Sequence, residues 1–345
     1  MLRWKYSRPL LGLLILITAI GPAIHLGFLA EPGMQQTLAV AFLYGALALT
    51  YDLLFGFTGL LSFGHAVFFA SGMYLTAIFV NSAHMSLFPA AAIAIFITSL
   101  LATAVGAASL RTTGITFAMV TLAFGEAGHI IISRNFGNFT NGENGLALNA
   151  DRVPSFFLGV ANTRYLFWLA LSVLAITYFA IWWVTQSSAG KVFQALRDNE
   201  VRASVLGLNP FVYKLLAFMI AGTLASIVGC AMLVISGSAS PRFASAETTI
   251  ALLLMVILGG AVTRWGAVIG GILYSLASTR LQDFSKIATQ HHIPKVLSGP
   301  LSEPAFTLGL IFILIVMFAP GGLSGAYYRL RQSYFAKKSR KAETE

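Results

Sequence analysis

Four ionisable side chains interrupt the long apolar runs of this chain: Asp52, His65, Glu126 and His129. Held in hydrocarbon, each is expensive, so such residues by default contact a solute, relay protons or pair with one another. Glu126 and His129 stand three positions apart, which puts them on one helical face where they can pair. Asp52 falls toward the end of its run and can reach an interface, which argues against a solute contact. His65 follows a Gly-rich stretch and reads first as a hydrogen-bonded structural histidine. No catalytic set and no metal site stands out. His291 and His292 are adjacent but lack a nearby Cys or acidic cluster. Gly190-Lys191 does not make a phosphate loop, because Thr185 stands where the first Gly belongs and Val192 replaces the Ser/Thr that holds magnesium.

The elements that must position these residues follow from composition. Of 345 residues, 57% are apolar and 10% charged, against about 25% charged in soluble domains. Mean hydropathy is +0.80, and a soluble fold is excluded. Runs long enough to cross a bilayer as helices recur near 10–30, 37–55, 60–80, 87–109, 114–133, 164–184, 211–235, 247–262, 266–281 and 304–319. The fold class is therefore an all-α polytopic membrane protein of about ten transmembrane helices with Gly-rich interrupted segments. The chain 1–345 reads as a single transmembrane domain. The pair 247–262 and 266–281 is short, so one of the two can be re-entrant.

The first run, flanked by Arg3, Lys5 and Arg8, reads as a retained signal anchor. A net charge of +10 does not call for nucleic acid, because most basic residues gather where cytoplasmic loops should be. With the N-terminus inside, Arg111, Lys191, Arg197, Arg202, Lys214, Arg264 and a basic tail at about 326–345 fall on the cytoplasmic side, and both termini are cytoplasmic. The single Cys230 excludes an intrachain disulfide.

Four stretches break the apolar pattern: Gly56–His65, the outside loop from Arg134 to Arg164, a polar island at about 186–210, and Gly259–Gly271. The island reads as helix, turn, helix. Val192, Phe193 and Leu196 share a face, Asp198-Asn199 is turn and N-cap chemistry, and Glu200–Leu206 forms a second short helix. Asp198 and Arg202 have ion-pair spacing, Gly207 suits a left-handed helix end, and Asn209-Pro210 starts the next span. Such a loop is either a handle that another protein grips or an ordinary solvated turn. Gly266 and Gly270 stand one turn apart and favour close helix packing, within the chain before between subunits; Gly125 and Gly128 read alike. The two Gly-rich interrupted segments, 56–64 and 259–271, share glycine without a clear common sequence.

These motifs together resemble one family. Gly56-Phe-Thr-Gly-Leu-Leu-Ser-Phe-Gly-His-Ala-Val-Phe-Phe69 is similar to the most recognisable run of branched-chain amino acid ABC importer permeases of the LivM type, with Leu60 where Gln is usual. Thr121–Glu126, Phe139–Leu146, Leu258–Gly260 with Trp265–Gly270, and Pro320–Gly325 resemble four further motifs of that family in the same order. The resemblance implies a permease with no catalytic residues and no cofactor of its own. It implies partners: a second, LivH-type permease, two ABC ATPase subunits that bind ATP and Mg, a periplasmic substrate-binding protein, and the bacterial inner membrane around them.

It also makes the island the loop that couples to the ATPases, with Phe193, Leu196, Ala203, Leu206 and Gly207 as its packed face and Arg197, Asp198 and Glu200 as polar contacts. Val201 and Arg202 depart from the family's acidic-Ala pattern. Candidates for the substrate pathway are Ser62, His65, Glu126, Thr140, Asn141 and Asn144. The family imports branched-chain and other amino acids, urea, amides and aromatic acids, and the spans do not separate these. An ion-coupled secondary transporter is the alternative, although Glu126 is then nearly alone as a membrane carboxylate.

Overall fold

The computed structural model describes residues 32–157 and 162–290, with scattered positions between 306 and 329 of which 321–327 are continuous. Helix α1 (Pro32–Asp52) runs into a π-helical turn, Leu53–Thr58. After it come α2 (Ala66–Asn81), α3 (Leu87–Ser109), α4 (Gly114–Ser133), α5 (Thr163–Gln186), α6 (Ser188–Asp198), α7 (Glu200–Val205), α8 (Pro210–Ser236), α9 (Ala246–Gly259) and α10 (Arg264–Gln290). The strands β1 (Leu146–Ala147) and β2 (Ser238–Ala239) pair antiparallel and tie the segment 134–157 to the end of α8.

Among the described residues, five helices are long and apolar enough to cross a membrane: α1 with its π turn, α3, α4, α5 and α8. The spans expected at 87–109 and 114–133 coincide with α3 and α4, and those at 164–184 and 211–235 lie inside α5 and α8. The spans expected at 10–30 and over most of 304–319 lie outside the described residues.

Two expectations need correction. The run 60–80 is not one helix: Gly59, at φ +76°, closes the π turn, and the helix resumes only at Ala66. The run 247–262 likewise stops at Gly259, with Gly260 at φ +102°. At 1.5 Å per residue α2 and α9 are about 24 and 21 Å long, short of the ~30 Å hydrocarbon layer. The short member of the late pair is thus α9, while α10 runs on for 27 residues.

Helices α1 and α8 form the centre. α1 packs on α5, α8, α9 and α10, and α8 packs on α2 and α3. Leu43, Leu47, Phe68, Phe167, Phe218 and Val256 fill the space between them. The peripheral helices keep apolar side chains outward, among them Phe96 and Leu100 on α3, Met119 and Ile130 on α4, and Ile176 and Phe179 on α5. Tyr165 and Trp168 near one end of α5 and Trp183 near the other suit the two membrane–water interfaces.

Glycine sets the closest crossings, as small residues do where helices meet in lipid. A Cβ at Gly229 of α8 would run into the Phe69 carbonyl of α2, and one at Gly271 of α10 would lie 2.6 Å from the Gly45 Cα of α1. Gly266 and Gly270 face Gly259 and Met255 of α9, so their close packing is within the chain. Gly125 and Gly128 likewise face Gly64 and Val67. We expect Gly229→Ala to destabilise the protein by about 1–3 kcal/mol through overpacking. Gly33→Ala, which meets nothing within 4 Å, should leave the thermal midpoint in detergent unchanged.

Candidate functional site

The conspicuous motif Gly56–His65 builds a break between α1 and α2. Thr58 Oγ1 donates to the Leu53 carbonyl at 2.8 Å, and the Leu60 amide to Leu54 at 2.9 Å, so the π turn closes on itself. The backbone from Leu60 to Gly64 then runs non-helical, and distant threonines satisfy it. The Phe63 amide donates to Thr121 Oγ1 of α4 at 3.1 Å, and the Ala66 amide to Thr249 Oγ1 of α9 at 3.1 Å. Gly64 is glycine because α4 crosses there; a Cβ would strike the Thr121 carbonyl.

His65 is fully buried beside this break. Its Nε2 lies 3.0 Å from Thr50 Oγ1, whose own proton goes to the Leu47 carbonyl at 2.7 Å. Nε2 must therefore carry the proton and donate, which fixes the tautomer. The rings of Tyr51 and Phe68 meet His65 edge-on at 5.5 and 6.2 Å. This geometry gives the Nε2 side of His65 a structural use. Its Nδ1, together with Ser62 Oγ and Tyr51 Oη, is buried without a hydrogen-bond partner.

Glu126 and His129 do not serve each other as the spacing suggested. The Ala246 amide donates to Glu126 Oε1 at 3.4 Å, and His129 Nδ1 donates to the Pro241 carbonyl at 3.1 Å. Both reach the connector between α8 and α9. A carboxylate on the first amide of α9 complements the positive end of that helix, while Ser245 caps it by accepting from the Thr248 amide.

The other pathway candidates sit away from the break, in the loop after α4. Thr140 is buried and structural: its Oγ1 donates to the Ile132 carbonyl at 2.8 Å. Asn135 Oδ1 gathers the amides of Thr140 and Asn141, both at 3.0 Å. Asn141 and Asn144 are exposed, as are Phe136 and Phe139 beside them. The structure therefore groups Ser62, His65 and Glu126 around the first turns of α2 and α9, and leaves the loop residues apart.

At the opposite end from that loop lies the polar island, folded as read: α6, a turn, α7. Ser187 caps α6, and Gly190 permits a corner so tight that a Cβ would lie 2.5 Å from the Thr185 Cα. Asn199 caps α7, accepting the Arg202 amide at 2.8 Å. Gly207, at φ +84°, ends it in a Schellman motif: its amide donates to Ser204 and that of Leu208 to Ala203. Asn209 caps α8, whose first residue is Pro210. The ion pair formed is Glu200–Lys214 at 2.6 Å, which ties α7 to α8, rather than Asp198–Arg202.

The island's proposed face divides in two. Phe193, Leu196 and Ala203 are buried in the chain's own core, where α6 packs on α5, α8 and the π turn. Leu206 faces outward, 76% exposed, beside Val201 at 73% and Val205 at 82%. Those two valines were missed from sequence; the signal was an apolar residue on each outward turn of a polar helix. Arg197, Asp198 and Glu200 line a cavity of about 860 Å³ with Thr58, Gly59 and Leu60 of the break. Asp52, expected to reach an interface, is fully buried, and its Oδ1 accepts from the Val262 amide at 2.9 Å.

Broken helices around a buried polar cluster, in a bundle of apolar spans, define a multi-pass membrane transport protein. The chain belongs to the family described as branched-chain amino acid transport system, permease component, whose profile matches residues 33–324. Its relatives include the high-affinity branched-chain amino acid transport system permease protein LivM of Escherichia coli, 25% identical over 90% of this chain and 74% of the relative. LivH of Salmonella typhimurium is 24% identical over 82% of this chain and 91% of its own. A solved structure, PsaBC from Streptococcus pneumoniae in complex with Fab, aligns over 90% of this chain and 98% of its own at 15% identity, with a TM-score of 0.42. The LivM-type resemblance read from the motifs stands, and the chain is a transport component rather than an enzyme.

Thr50→Val strands the Nε2–H of His65 and should cost about 1–3 kcal/mol, whereas Thr50→Ser keeps the partner and most of the stability. Thermal unfolding in detergent distinguishes the two.

Proposed function

We propose that this chain is the LivM-type half of the transmembrane pathway of an ABC importer for branched-chain or related hydrophobic amino acids, in the bacterial inner membrane with both termini cytoplasmic. The observation that carries the reading is the apolar knob Val201, Val205 and Leu206, exposed on a short helix that is capped at both ends and anchored through α6 to the break in α1. Relatives named both LivM and LivH support a second, LivH-type permease beside it. Two ATPase subunits grip, from the cytoplasm, the α6–α7 island of this chain and its counterpart on the second permease, and ATP with Mg stays on them. A periplasmic binding protein delivers the amino acid to the 134–162 loop, where Phe136, Phe139, Asn141 and Asn144 are exposed.

The chain's own part is mechanical. As the ATPases close, the island moves, and α6 carries the π turn and the break with it. The first turns of α2 and α9, which meet through Ala66 and Thr249, shift relative to α4. Glu126, on the first amide of α9, offers an acceptor to the ammonium group of a passing amino acid, and Ser62 and His65 Nδ1 offer polar atoms nearby. Apolar walls leave the aliphatic side chain without a desolvation penalty.

Leu206→Glu and Val205→Glu should insert and accumulate normally, because neither side chain packs within the chain, yet should lose co-purification of the ATPase subunits. Recovery of the ATPases at wild-type yield with both variants would refute the docking role of the island.

A further inference from the structure

A force applied to the outward face of α7 has two ways into the membrane-spanning body. One runs back through Asn199 into α6, which is packed on α5, α8 and the π turn. The other runs forward along the chain into α8, and by backbone alone it is weak. Helix α7 is six residues long and buries one side chain, Ala203. It joins α8 through Gly207, which holds φ +84° and where a Cβ would meet nothing within 4 Å. An unpacked glycine restrains such a joint little. The Schellman bonds at Gly207 and Leu208 close α7 on itself and do not reach α8. Held at that joint alone, α7 would pivot against α8 rather than move it.

A side-chain contact closes the forward route. Lys214 Nζ, in the second turn of α8, donates to Glu200 Oε2 at 2.6 Å, fourteen positions away at the other end of α7 from the glycine joint. An ion pair on an open surface contributes little. Here the Lys214 side chain is only 12% exposed, against 41% for Glu200, so loss of the carboxylate would leave an ammonium group mostly out of water without its partner. Helix α8 is well placed to pass movement on. It runs for 27 residues, about 40 Å at 1.5 Å per residue, and packs on α1, α2 and α3. At its far end begins the connector whose Pro241 carbonyl accepts from His129 and which leads to the Ala246 amide on Glu126.

We propose that Glu200 and Lys214 are positioning residues for transport, whose ion pair braces the coupling island against the central helix α8. Movement imposed on α7 at the cytoplasmic face then shifts α8 with it and reaches the 237–245 connector on the other side of the membrane. The proposal rests on the coupling reading of α6 and α7 given above and adds a second output to it: α6 carries the π turn of α1, and the ion pair carries α8.

The test uses the complete transporter with its partner subunits in proteoliposomes, scoring uptake, ATP hydrolysis and subunit recovery. Glu200→Gln removes the charge at nearly constant shape, and Lys214→Met keeps the apolar stem. Each should lower the uptake obtained per ATP hydrolysed about tenfold with the ATPases still bound, and the double variant should be no worse than either. Lys214→Arg keeps the pair and should retain most of the uptake. Exchanging the charges, Glu200→Lys with Lys214→Glu, should recover about half of the wild-type uptake or more. A lysine at the first residue of α7 opposes the helix dipole, so that recovery can come only from the re-formed pair. Wild-type coupling in Glu200→Gln, additive losses in the double variant, or an exchanged pair no better than the single variants would each overturn the proposal. Should Lys214→Met fail to accumulate, Glu200→Gln and the exchanged pair decide. Loss of the ATPases from the Glu200→Gln complex would overturn it too, by making Glu200 a docking contact, and would leave the coupling reading standing. That reading fails instead if the Leu206 and Val205 variants retain their ATPases.

Discussion

Backbone inside a bilayer has no water to bond with, so wherever a helix is interrupted the protein must supply the missing partners. The break after α1 meets this demand with two hydroxyls from far away in sequence, Thr121 for the Phe63 amide and Thr249 for Ala66. Much of the packing follows from these bonds. Helix α4 must cross close enough to deliver Thr121, which requires glycine at 64 and 125. Helix α9 must begin beside α2 to deliver Thr249, so the chain after α8 has to turn back from β2 before α9 can start.

The outcome is a pattern that occurs twice. A long helix, a connector that is not α-helical and a short apolar helix appear as α1, the break and α2, and again as α8, the 237–245 connector and α9. The two short helices start side by side. Discontinuous helices that meet inside a bundle are a recurring way for transporters to bring polar atoms to a solute without exposing backbone to lipid. Here Ser62, His65 and Glu126 all belong to that meeting point, and Glu126 already occupies the end of one short helix.

What sequence revealed and what it hid divide along the range of the interactions. Helices α3 and α4 were readable nearly to their ends because each is one apolar run between local stop signals. The island was readable too, since Asn199, Gly207 and Asn209-Pro210 act on their immediate neighbours. The break was readable in part: the glycines of 56–64 marked an interrupted segment, but Leu60, Leu61 and Phe63 are as apolar as any span, and the threonines that hold them open lie far along the chain. The same distance hid the true partners of Glu126 and His129, and the turn of Asp52 inward to Val262. Nor could sequence pair the first break with its counterpart. Glycine content pointed to 259–271, whereas the equivalent connector is 237–245, which holds a single glycine.

The one cysteine of the chain sits where α2 and α8 cross, its thiol 3.2 Å from Thr76 Oγ1 and 3.5 Å from the Gly72 carbonyl. It is buried on both sides by that crossing. Water-borne thiol reagents therefore have no native target on the folded protein. The unaltered sequence already offers the silent background that spin-label and fluorescence distance measurements require. Paired reporters can be placed on the island and the outer loop without first rebuilding the core.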